Sequence, residues 1–201
     1  MIFRLIEFFG THPDDKEFVV CLGFFDGVHL GHMRLLEAAR EIKRREGLFV
    51  CVHTYSVAPT ALIHPDRIYK ELTPLDEKIS LLLKNGADMV AVSHFDEKLM
   101  RMDATQFIDQ ELGGQFRVKH LVVGSDHRFG FHARTGAAEL QALCAKRGIG
   151  LTVVAPVKTP DGDVISSTAI KTALSNGNRK VAEAMLGRSI KQSLSDRFRA
   201  E

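Results

Sequence analysis

The chain has 201 residues, 45% of them hydrophobic, which is enough for one sizeable core and short for two. Its 27 lysines and arginines against 25 acids leave a formal charge of +2, so no broad field points to nucleic acid or an anionic membrane as partner. Arg4 and Glu7 interrupt the apolar start, and no run of roughly 18 apolar residues follows, which argues against a secretory leader and a membrane span.

In chain order, Phe18-Val19-Val20-Cys21-Leu22 reads as a buried strand. It feeds Gly23-Phe24-Phe25-Asp26-Gly27-Val28-His29-Leu30-Gly31-His32. Leu35, Ala39 and Ile42 then recur at helical spacing, so a helix is expected from near His32. A glycine-rich turn opening onto a helix N-terminus suits a phosphate, because free N–H groups and the positive dipole end meet there. A His-x-x-His pair alone reads better as a surface turn with a capping histidine. A zinc site lacks a C-x-x-C pair and a third ligand at convincing spacing. Cys21, Cys51 and Cys144 lie in apolar surroundings and read as buried, reduced thiols.

Apolar, β-branched runs recur at 19–25, 48–55, 89–95, 120–124 and 150–157, alternating with helix-like stretches. That pattern predicts an α/β fold with a parallel sheet and helices on both faces. Pro59 and Pro65 break the segment 56–69, which reads as a loop or flap over the site or, equally, as an inert connection. Thr73 before Pro74 and Asp76 reads as an N-cap with proline at the first helical position, and Asp103 with Gln106 as a capping box. Val122–Gly130 reads as a strand running into a glycine-bounded turn, with Arg134 and Gly136 beyond. Pro160-Asp161-Gly162-Asp163 is a tight-turn signal. Ile165-Ser166-Ser167-Thr168-Ala169-Ile170-Lys171 sets hydroxyls and a lysine at a helix start, which suits a second anion or an ordinary N-cap.

The string at residues 23–32 resembles the signature of the nucleotidyltransferases, relatives of class I aminoacyl-tRNA synthetases, whose His-x-Gly-His binds the α-phosphate of a nucleoside triphosphate. Residues 165–171 resemble that superfamily's Ile-Ser-Ser-Thr-x-Ile-Arg element, which holds the β- and γ-phosphates. Residues 122–130 are similar to the Gly-x-Asp-Phe-Arg-Phe-Gly motif of one branch, the FMN adenylyltransferase module of prokaryotic FAD synthetases. Leu72–Lys78 and Gly177–Arg188 fit the same module, so the likeness runs from about residue 19 to residue 188.

The resemblance implies a Rossmann-like, nucleotidyltransferase (HUP-like) domain over 1–188, a polar tail over 189–201 and no riboflavin kinase domain. It implies a cytoplasmic enzyme that takes ATP with Mg²⁺ and FMN as substrates and forms FAD and pyrophosphate, with no nucleic acid or membrane partner. His29, His32 and Lys171 would be catalytic. Gly23, Phe24, Phe25, Asp26, Gly31, Asp126, Ser166, Ser167 and Thr168 would bind the nucleotide, and Tyr55, Arg128 and Phe129 the flavin. No metal ligand set from protein alone is expected.

Three positions depart from the family pattern. Thr54-Tyr55-Ser56-Val57-Ala58-Pro59 stands where Thr-Phe-x-Pro-His-Pro is usual, Lys171 replaces an arginine and His127 a phenylalanine. Two alternatives stay open: transfer to another phosphorylated small molecule, since the motif at 23–32 is shared across the superfamily, and a nucleotide- or flavin-binding regulator without turnover, which the altered Thr54–Pro59 stretch favours.

Overall fold

In the computed structural model of the protein, which describes residues 6–10, 16–66, 68–114, 117–128, 130 and 135–198, six strands form one sheet. They are β1 (Ile6–Gly10), β2 (Glu17–Leu22), β3 (Phe49–Tyr55), β4 (Met89–Ser93), β5 (Arg117–Gly124) and β6 (Gly150–Val154), in the order β1-β4-β3-β2-β5-β6. β2 to β6 pair in parallel, as the continuous apolar runs predict for strands covered on both faces. The expectation of a wholly parallel sheet needs one correction: β1 pairs antiparallel with β4 at the edge. Glu7 interrupts the apolar residues of β1, as on an antiparallel strand with one side toward solvent, and Phe8 is exposed there.

The helices are α1 (Leu30–Glu46), α2 (Pro59–Ile63), α3 (Leu75–Lys84), α4 (Glu97–Arg101), α5 (Ala104–Gln106), α6 (Ala137–Ala145), α7 (Ser167–Ser175), α8 (Arg179–Leu186) and α9 (Gln192–Phe198), and α5 runs on into a π-helical stretch at Phe107–Leu112. Strand alternation divides the core. Val19, Cys21, Val50, Val52, Val90 and Val122 pack with α1 and α3 on one face. Phe18, Val20, Leu22, Cys51, Met89, Leu121 and Val123 pack with α4, α5, the π-helical stretch and α6 on the other. Leu72 and Ile165 join α7, α8 and α9 in a third cluster.

Several local expectations shift. α1 begins at Leu30 with His29 as its N-cap, a little before the expected start near His32. Pro74, not Thr73, is the N-cap of α3, and Thr73 is buried. The segment 56–69 contains α2, because Pro59 can occupy a first helical turn without losing a hydrogen bond. The tail over 189–201 is not simply polar: α9 buries Ser195 and Phe198 against the third cluster. The Asp103–Gln106 capping box is present, and Gly162 N–H donates to the Thr159 carbonyl (2.9 Å) in the turn at 159–162.

From β2 the chain builds outward through β3 and β4 on one side, and through β5 and β6 on the other. β2 and β5 therefore flank the switch in strand order, where open α/β sheets form a crevice beyond their carboxyl ends. Both predicted turns, 23–32 and 124–130, leave from those ends.

Candidate active site

The loop after β2 is held in an unusual backbone path. Phe25 (φ 57°), Gly27 (φ 88°) and Val28 (φ 42°) all lie in the left-handed region. For a β-branched residue such as Val28 this is a true outlier, costing of order 1–3 kcal/mol. Burial of the Phe25 and Val28 side chains over-determines the shape, and Arg188 donates to the Val28 carbonyl at 3.1 Å.

This path delivers two histidines as a locked pair. His29 N–H donates to His32 Nδ1 (3.3 Å) and His32 N–H donates to His29 Nδ1 (3.4 Å), a reciprocal capping box at the start of α1. The rings stack with centroids 3.6 Å apart. An Nδ1 that accepts a hydrogen bond carries no proton, so each neutral ring holds its proton on Nε2. Burial lowers the His29 pKa from 6.5 to about 4, against the raising effect of Asp26 and Asp126. His32 is held well below 6.5 by burial, then by the charges of His29 and Lys78. Both rings are neutral donors at pH 7.

Across the crevice, Ser166 caps α7, its Oγ accepting from Ala169 N–H at 3.1 Å. Ser167 Oγ donates to the Asp26 carbonyl at 2.7 Å, tying the two loops together directly. His29, Gly31 and His32 thus line one cavity of about 530 Å³ with Ser166, Ser167 and Thr168, as well as Gly23, Phe24 and Asp126. Gly31 has a local reason: a Cβ there would lie 3.0 Å from the His29 ring.

A second cavity of about 650 Å³ adjoins it, lined by Tyr55, Leu62, Phe95, Met100, Phe107 and Arg128 among others. Gly23, Phe24, His127 and Arg128 border both. The turn after β5 therefore supplies the partition, and burial lowers the His127 pKa to about 4. Phe129 and Arg134 lie outside the described residues.

Three predicted positions stand elsewhere. Phe25 is buried in the core. Asp26, 3% exposed, accepts from Leu72 N–H (2.7 Å), Thr73 N–H (3.3 Å) and the Tyr69 hydroxyl (3.0 Å). Lys171 Nζ lies 2.7 Å from Asp26 Oδ2 and 3.8 Å from the Tyr69 ring centroid. Asp26 joins the first loop, the segment 69–73 and α7. A carboxylate in a loop turn gives no sign in the sequence that its partners are main-chain groups 46 and 47 residues away.

Sequence reasoning missed Thr60, which lines the smaller cavity, and Met100 and Met102, which line the larger. It also missed Lys78. The available signal was a lysine set on the apolar stripe of α3 beside Ile79 and Leu82.

A doubly wound sheet with neutral imidazole donors and a helix N-terminus around one cavity is an α/β domain of the nucleotidyltransferase type. The FAD synthetase family model matches residues 11–169, and the chain belongs to that family. It is similar to the bifunctional riboflavin kinase/FMN adenylyltransferase of Bacillus subtilis, with 34% identity covering 88% of this chain and 57% of that protein. The Escherichia coli protein of the same name is 36% identical, over 84% of this chain and 54% of its own length. A FAD synthetase of Listeria monocytogenes is 31% identical over 89% of this chain and 72% of its own length. A crystal structure described as a macrolide-efflux protein from Streptococcus pneumoniae matches with a TM-score of 0.78 at 28% identity, covering 88% of this chain and 57% of that one. The chain spans about half the length of the bifunctional relatives it matches. No helix among the described residues is long and apolar enough to cross a membrane.

Proposed function

We propose that the protein is an FMN adenylyltransferase, transferring AMP from ATP to FMN to give FAD and pyrophosphate. The observation that carries this reading is the adjoining of two cavities, one edged by the polar groups of His29, His32 and Ser166–Thr168, the other, of about 650 Å³, lined largely by apolar and aromatic side chains. A phosphate oxygen of FMN would attack the α-phosphorus of ATP, forming one P–O bond as the bond to pyrophosphate breaks. An ionised phosphate needs no general base, so positioning and charge stabilisation carry the reaction. The Nε2–H groups of His29 and His32 would donate to the α-phosphate oxygens as their charge grows. The first-turn N–H groups of Ser167 and Thr168, which have no partner within α7, would meet the departing pyrophosphate. Gly23, Phe24, Gly31 and Asp126 would line the nucleotide side, and Tyr55 and Arg128 the flavin side.

Lys171 would reach phosphate only by leaving Asp26; its role at rest is to hold that carboxylate. The described residues contain no group of three or more His, Cys, Asp or Glu able to hold a metal ion. Hydroxyls and a single carboxylate, Asp126, suit Mg²⁺ arriving on the triphosphate, where it neutralises phosphate charge. Three free, buried cysteines accord with a reducing, cytoplasmic setting.

Incubation with ATP, Mg²⁺ and FMN, followed by chromatography for FAD, tests the reading. The His29→Ala variant should lose about 10²–10³ in rate. The altered stretch Thr54–Pro59, at the edge of the larger cavity, favours a binding regulator as the competing reading. ATP binding with no pyrophosphate release for any phosphate acceptor would establish that one instead.

A further inference from the structure

Lys78 is 1% exposed, and its ammonium lies behind Phe24, a residue that borders both cavities. Nζ donates to the Phe24 carbonyl at 3.1 Å and to the Tyr55 carbonyl at 3.1 Å, and lies 3.9 Å from the Phe24 ring centroid. The Phe24 carbonyl also accepts from Thr54 Oγ1 at 2.8 Å. One side chain from α3 thus clamps the first residues past β2 to the last residue of β3. Phe24 borders both cavities and Tyr55 the larger one. The Phe24 ring meets the Tyr69 ring edge-on at 6.1 Å, and Tyr69 in turn lies under Lys171.

A lysine buried only to satisfy two carbonyls would be a poor device, since desolvating an ammonium costs several kcal/mol. Its hold on Phe24 and Tyr55, which line the cavities themselves, gives that cost a use. We propose that Lys78 is a positioning residue for adenylyl transfer: its charged ammonium fixes Phe24 and Tyr55 so that the flavin phosphate meets the nucleotide at attacking distance. The proposal rests on the adenylyltransferase reading above.

The surroundings make the clamp sensitive to alkali. Burial lowers the Lys78 pKa from 10.5 to about 8, partly countered by Glu71 and Asp26. The charged and titratable groups around it are Glu71 from the segment before α3, Asp26 from the first loop and His32 from α1. Burial raises the Glu71 pKa above its usual value, and His32 is held well below 6.5, so the imidazole stays neutral near pH 8. Loss of the proton above pH 8 leaves an amine whose two N–H groups can still meet both carbonyls, but it turns charge-assisted bonds into weaker neutral ones and removes the cation from the Phe24 ring.

The test is the pH profile of FAD formation in wild type, Lys78→Met and Lys78→Arg, with fold followed by circular dichroism. Methionine keeps the unbranched apolar stem and loses the ammonium; arginine keeps the charge to high pH. Wild type should lose activity above about pH 8. Lys78→Met should be down about 10²-fold in kcat, with KM for ATP changed less than about threefold and no alkaline limb. Lys78→Arg should recover part of kcat and move the limb upward. A folded Lys78→Met with wild-type kcat, or one that keeps the alkaline limb, overturns the proposal. If Lys78→Met does not fold, the Lys78→Arg profile decides, and coincident limbs in wild type and Lys78→Arg overturn it. Lysine side-chain NMR of the protein without substrates gives a readout independent of turnover. A Lys78 resonance titrating near pH 8 together with the Phe24 and Tyr55 signals supports the clamp even where no FAD forms, and independent titration refutes it.

Discussion

Replacing Asp26 separates a structural centre from a ligand contact. In Asp26→Ala the Leu72 and Thr73 N–H groups lose a buried acceptor, and the Tyr69 hydroxyl and Lys171 ammonium lose theirs. An unsatisfied buried donor costs about 1–3 kcal/mol, and stranding one partner of a buried ion pair about 3–5 kcal/mol. Lys171 is 21% exposed and can turn toward water, and the Thr73 bond at 3.3 Å is long, so both costs are discounted. The net loss for Asp26→Ala comes to about 3–4 kcal/mol, mainly from the stranded Leu72 N–H and Tyr69 hydroxyl, with a smaller share from Thr73 and Lys171. Asp26→Asn keeps an oxygen for Leu72 but no charge for Lys171, and should lose about 1–2 kcal/mol. Urea unfolding at constant m-value measures both. A loss below about 1 kcal/mol in Asp26→Ala would refute the reasoning. A raised KM for ATP at unchanged stability in Asp26→Asn would return this carboxylate to the nucleotide.

Stability should fall with acid through His29. Its folded pKa of about 4 lies below the unfolded value of 6.5, so between these pH values the unfolded chain binds the extra proton. The contribution lost on going from pH 7 to pH 4 is about 3 kcal/mol, and it should vanish from the pH dependence of unfolding in His29→Asn, which can still cap α1. Gly31→Ala should separate activity from stability. Helix propensity improves by about 1 kcal/mol, while the new Cβ displaces the His29 ring by a few tenths of an ångström, so turnover should drop severalfold at a near-constant melting temperature. Equal turnover at equal stability would show that the ring has room to move.

Much of this was legible from the chain. Continuous apolar runs marked the parallel strands because strands buried on both faces must be apolar throughout, and the turns at 23–32 and 165–171 stood out because glycine and hydroxyl residues cluster at helix starts for local reasons. What stayed hidden depends on distant partners. The antiparallel β1, the grip of Asp26 on residues 69–73, the turning of Lys171 onto Asp26 and the reach of Lys78 to two carbonyls all join segments that no local pattern relates. Helix α2 was obscured differently, since Pro59 and Pro65 read as breaks, although a proline can also begin a helix.

The mutual capping of His29 and His32 also governs what the pair will refuse. Each ring spends one nitrogen on its neighbour's main chain and presents only a protonated one outward. Zinc or nickel would need a bare lone pair, and obtaining it means moving the proton to the other nitrogen and breaking into the first turn of α1. Such a couple should be a poor chelator despite its proximity, and should remain selective for oxyanions where stray transition metals abound.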